Sequence, residues 1–99
     1  MPYHIEVVSK LGKRIRVTKR YWKYVVAKHE SVESLEEEVK ETLTNPESVR
    51  VSKEDPDVYL YYSRYGKYYL CVVCKDLNSD GFIVTAYLAD KIKKGRRAL

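Results

Sequence analysis

Ninety-nine residues make one small domain, and a chain that is 44% hydrophobic and 33% charged is neither disordered nor membranous. No apolar run approaches the roughly 18 to 20 residues of a spanning helix, and MPYHIEVVSK has no export-signal core. Two cysteines are too few for a disulfide scaffold, so the expectation is a cytoplasmic protein with no membrane partner. The net charge of +5 conceals a split: residues 30–41 hold six glutamates against Lys40, a local −5 that leaves +10 on the rest. That excess falls in two acid-free blocks. One is 10–23, with Arg14, Arg16, Lys19 and Arg20; the other is 91–97, with Lys91 and Lys94. Such separation points to one side that faces a polyanion and an acidic back, or else to surface lysines that simply keep a small domain soluble.

In chain order, residues 3–8 and 14–18 read as two strands joined around Leu11-Gly12-Lys13. Thr18 then caps a helix over 19–29, whose Tyr21, Trp22, Val25, Val26 and His29 recur on one face. A second helix runs from Ser31 or Ser34 to Leu43. Ser34-Leu35-Glu36-Glu37 has the capping-box pattern, and Val32, Leu35, Val39 and Leu43 form the buried stripe. Asn45-Pro46 ends it. From 48 onward the period falls to two, and 48–53, 57–65, 68–75 and 82–88 read as strands. A tight turn at Gly66-Lys67 joins two of them, and a longer loop over 76–81 joins the next pair. Residues 90–99 read as a short helical turn or a basic tail. The order predicts an α+β domain, with an N-terminal β-hairpin and two helices packed on a four-stranded antiparallel sheet.

Strand alternation sorts the side chains that remain free for chemistry. Val49 and Val51 oppose Ser48, Arg50 and Ser52; Leu70, Val72 and Cys74 oppose Tyr69, Cys71, Val73 and Lys75; Phe82, Val84, Ala86 and Leu88 oppose Ile83, Thr85 and Tyr87. With the aliphatic sets against the helices, the far face gathers Arg50, Ser52, Lys75, Thr85, Tyr87 and several tyrosines. Cations for phosphate, rings for bases and hydroxyls for the 2′-OH are what a nucleic acid needs, and an ordinary half-wet sheet face has the same makeup. His29 either caps the last helix carbonyls or acts as a general acid or base. Cys71 and Cys74, three apart in a strand, point to opposite faces and read as small core residues, not as a zinc or redox pair. No P-loop, G-x-G-x-x-G or G-x-S-x-G run is present, and no acidic cluster suits Mg²⁺. A nuclease built on this chain would therefore work without metal or cofactor.

Two stretches resemble a known superfamily. Residues 18–30 (TKRYWKYVVAKHE) look like the aromatic helix ending in histidine of a phage- and prokaryote-associated branch of the Barnase–EndoU–colicin–RelE (BECR) nucleases. Residues 80–95 (DGFIVTAYLADKIKKG) resemble that branch's last strand and basic exit, and 46–52 (PESVRVS) with 59–62 (YLYY) its first sheet strands. The likeness spans about residues 15–95. It implies a metal-independent ribonuclease, the toxin of a toxin–antitoxin pair with a cognate antitoxin protein as partner, or a phage-borne effector. It implies His29 as general acid or base, Arg50 stabilising the phosphorane with Lys75 in support, and Thr85 and Tyr87 positioning the scissile phosphate. Ser52 would assist, and Tyr61 or Tyr62 would stack a flanking base. Two other classes fit the residues as well: a binding module that holds RNA or DNA without cutting it, and a protein-interaction domain that docks through the acidic helix 31–43 or the tyrosine-rich edge.

Overall fold

At Thr18 the chain turns from strand to helix, where Oγ1 accepts the Tyr21 N–H at 3.1 Å and satisfies an amide that helix geometry leaves without a partner. The computed structural model describes residues 3–93 and 95–98. Strands β1 (Ile5–Val8) and β2 (Arg14–Val17) form the antiparallel hairpin before this cap, and α1 (Lys19–Lys28) follows it, burying Trp22 and Val25. The capping box at Ser34 does not form. Residues Glu30–Val32 wind instead as a 3-10 turn, and α2 (Glu36–Thr44) starts after Leu35, which has no side-chain acceptor. Three glutamates in the first turn of α2 suit the positive end of its dipole. Its stripe of Val32, Leu35, Val39 and Leu43 is buried throughout.

Strands β3 (Ser48–Val51), β4 (Val58–Tyr65), β5 (Tyr68–Leu77) and β6 (Asp80–Ala89) pair antiparallel in succession. The β5–β6 loop is shorter than its sequence suggests. Asp76 pairs with Gly81 and Leu77 with Asp80, so only Asn78 and Ser79 turn, Asn78 in the left-handed region at φ 64°.

The α+β reading holds, but the sheet is not four-stranded and not wholly antiparallel. It has seven strands in the order β1-β2-β6-β5-β4-β3-β7, with β2 parallel to β6 and a terminal β7 (Arg96–Arg97) against β3. Strands β6 and β7 lie on opposite sides of β5, β4 and β3, so the chain after Ala89 must cross the sheet to reach its far edge. It crosses as a strap on the face away from the helices, and is neither a helical turn nor a free tail.

The main core lies between the sheet and the helices, where Ile5, Ile15, Val25, Val39, Leu43, Val49, Leu70, Val72 and Ile83 are almost wholly buried. Ile83 corrects the simple alternation. Cys74 pairs with Ile83 while Val73 pairs with Thr85, so Val84 is an extra, bulged residue. The bulge turns Ile83 toward the helices together with Ala86, and leaves Thr85 and Tyr87 on the opposite face. The Tyr21 hydroxyl donates to the Val84 carbonyl at 2.9 Å and ties α1 to this irregularity. Among the described residues, no helix is long and apolar enough to cross a membrane.

Candidate functional site

On the outer face, cross-strand register places Arg50, Leu60, Val73 and Thr85 in one row, with Ser48, Tyr62, Cys71 and Tyr87 in the next. The strap lies over them. Ile92 packs against the cluster of Leu60, Tyr62 and Cys71, and the Lys93 N–H donates to the Tyr62 hydroxyl at 3.2 Å. Farther on, the Gly95 carbonyl accepts from the Arg50 guanidinium at 3.3 Å. A β-carbon at position 95 would stand 2.7 Å from the Val51 carbonyl oxygen, so glycine is what lets the strap rest on β3.

Between strap and sheet is a pocket of about 370 Å³. Arg50, Ser52, Lys53 and Glu54 form one wall and Thr85 and Tyr87 the other; Leu60 and Val73 line the apolar floor, and the strap supplies Lys93. The Arg50 and Thr85 backbones are three strand spacings apart, about 14 Å. The cations outnumber the single carboxylate, Glu54, which accepts from Ser52. Arg50 pairs with no carboxylate among the described residues; its Nε donates to Ser48 Oγ at 3.2 Å. Deeper in, the Cys71 thiol lies between the Tyr62 and Tyr87 hydroxyls. Burial pushes the thiol up to about 11 and the Tyr62 phenol up to about 12, and raises Tyr87 as well. All three groups are therefore neutral at physiological pH, and Tyr87 offers the pocket an uncharged phenol.

His29 caps α1 through its backbone, and its ring packs against Tyr87 with centroids 5.7 Å apart. The predicted constellation thus divides. His29 meets Tyr87, while Tyr87, Thr85, Arg50 and Ser52 share the pocket, with Arg50 on the wall opposite Thr85 and His29 not in the lining. Lys75 is not in it either. Its Nζ donates to Asp55 Oδ2 at 2.5 Å, and this pair holds the Asp55 carboxyl below its usual range and Lys75 above its own. Lys93, together with Lys53, supplies the further positive charge instead. No sequence signal marks Lys93, because the strap has no periodicity and its place is fixed by contacts with β3, β4 and β5.

Tyr61 and Tyr62 are each 0% exposed, which removes both from base stacking. Tyr61 faces the helices and donates to Ser9 Oγ at 2.9 Å, and Tyr62 lies under the strap. Arg14 and Arg16 are on β2, with Arg16 3.6 Å from Asp80; Lys19 and Arg20 are exposed in the first turn of α1, and Lys91 is exposed at the start of the strap. None of these five lines the pocket. Lys94 lies outside the described residues. The acidic α2 packs on the helix side, across the sheet from the pocket. Cys71 and Cys74 are free, buried and on opposite faces. Comparison with protein-family models, curated proteins and solved structures yields no match.

Proposed function

We propose that the protein is an endoribonuclease that cuts without a metal ion, holding one nucleotide of an RNA strand in the outer-face pocket. The observation that carries this reading is the pocket itself: Arg50, Lys53 and Lys93 around an apolar floor, facing the Thr85 and Tyr87 hydroxyls, with the His29 ring packed on Tyr87. The cations suit phosphate and the floor of Leu60 and Val73 suits a ring. In the reaction the 2′-oxygen bonds to phosphorus as the bond from phosphorus to the 5′-oxygen breaks. His29 takes the 2′-OH proton while water protonates the leaving 5′-oxygen, or His29 protonates the 5′-oxygen while water accepts the 2′-OH proton, and Arg50 and Lys93 offset the charge on the phosphorane. Thr85 and neutral Tyr87 donate to the phosphate. The resemblance of 18–30 and 80–95 to BECR nucleases supports the same chemistry. It extends the proposal to a cytoplasmic toxin with a protein antitoxin, or a phage-borne effector.

The test is cleavage of total RNA in EDTA by the wild type, His29→Ala and Arg50→Ala. Each substitution is expected to slow cutting about a hundredfold or more while the protein still retains RNA. A wild type that retains RNA and never cuts it would overturn the catalytic reading. It would leave a nucleic-acid-binding module, which the engagement of Arg50 by Ser48 and Gly95 favours.

A further inference from the structure

Where β2 meets β6, a second and smaller concavity of about 220 Å³ opens. Its walls are Tyr3, Arg16, Tyr21, Leu77 and Phe82. Phe82 is 41% exposed and Leu77 54%, although both are large apolar side chains on regular strands. The remaining walls are held in place. The Arg16 guanidinium lies 4.9 Å from the centroid of the Tyr3 ring and 3.6 Å from Asp80, and Tyr21 is anchored by its hydroxyl to the Val84 carbonyl. The space is below the size of a drug-sized ligand site and suits one flat ring system. Arg14, two residues before Arg16 on β2, and Arg20, beside Tyr21, add exposed positive charge next to the slot and have no carboxylate partner among the described residues.

Phe82 and Thr85 connect this slot to the larger pocket. Cross-strand register puts both on the outer face of β6, Phe82 opposite Lys75 and Thr85 opposite Val73, so with the bulge between them they lie two ladder positions apart, about 7 Å. Beyond Tyr21 the aromatic surface continues to Tyr24, which is 51% exposed with the Lys28 ammonium 5.1 Å from its ring centroid. Exposed rings interleaved with unpaired cations suit unstacked bases on a phosphate chain.

We propose that the Tyr3–Arg16–Phe82 slot binds a nucleobase of single-stranded RNA flanking the nucleotide in the larger pocket. This rests on the nucleic-acid reading above and adds to it a strand direction along β6 and a requirement for unpaired bases. Phe82 supplies the stacking face, Arg16 lies across the ring from Tyr3, and Tyr21 closes the end.

The test measures binding of a single-stranded RNA oligonucleotide by fluorescence anisotropy, alongside a duplex of the same sequence and an abasic single strand, for the wild type, Phe82→Ala, Phe82→Trp and Arg50→Ala. Phe82→Ala should weaken single-strand binding about tenfold and Phe82→Trp should restore it. Duplex and abasic strands should not distinguish the wild type from Phe82→Ala. If Phe82→Ala binds the single strand like the wild type while Arg50→Ala binds it poorly, the slot is overturned and the pocket reading survives. A wild type that fails to bind the single strand overturns both. If Phe82→Ala leaves RNA binding unchanged but abolishes an association between copies of the chain, the patch is a protein contact and the slot is again overturned.

Discussion

Tyr61 and Tyr62 are adjacent in sequence and equally buried, yet they belong to different environments. Tyr61 enters a core of aliphatic side chains closed by two helices, where a single hydroxyl contact with Ser9 satisfies it. Tyr62 enters a thin layer roofed by the strap, among a thiol, two further phenols and a guanidinium. Both faces come from the same strands, so the covering element makes the difference. Helices bring enough apolar surface to seal their side. A short strap seals part of its side and leaves the remainder as a pocket, and the polar groups beneath it must pair with one another.

The comparison breaks most visibly at Leu70, fully buried on the helix side. Leu70→Ala should cost about 3 kcal/mol, read as a lower midpoint in urea, and a loss below 1 kcal/mol would mean that the helices seal that side poorly. Gly95→Ala attacks the other face, because the added β-carbon must push the strap off Val51. The global midpoint should move little while the rate of thiol labelling at Cys71 rises on the order of tenfold, with Cys74 still shielded. Equal labelling of both cysteines would show that strap and core open together. Tyr61→Phe should cost about 1 kcal/mol through its lost bond to Ser9.

The finest test uses Asp76, a carboxylate on the helix side that is 6% exposed and has no hydrogen-bond partner among the described residues. Burial raises its pKa above the ordinary 3.8, with the Lys13 charge opposing and that of Asp57 adding. The folded state therefore keeps this proton longer than the unfolded chain. Its contribution to stability is complete below the unfolded pKa and fades as pH rises through the folded one. Asp76→Asn should flatten the fall in stability as pH rises above the ordinary carboxylate range relative to the wild type, and identical slopes would remove Asp76 as its source.

Much of this was legible from local chemistry. Thr18 announced the start of α1, the stripe from Val32 to Leu43 announced the buried side of α2, and Gly66-Lys67 announced a hairpin. The misreadings have identifiable causes. In 82–88 nearly every residue is apolar, so nothing in the pattern marks Val84 as the bulge that reverses Ile83. The parallel pairing of β2 with β6 joins segments far apart in the chain, and no turn signal encodes it. The strap is basic and aperiodic, and reads as a tail until β3 offers it an edge. For the site, alternation placed Arg50, Ser52, Thr85 and Tyr87 on one face, but it carries no information about cover. It could not reveal that Tyr62 is roofed over, that Lys75 is claimed by Asp55, or that Lys93 completes the pocket.

The crossing of the strap also fixes when the pocket can exist. Translation adds residues in order, so every wall contributed by β3 to β6 is made before the ammonium at 93 and the carbonyl at 95. The strap thus completes the pocket after every residue of the helices and of β3 to β6 has been made.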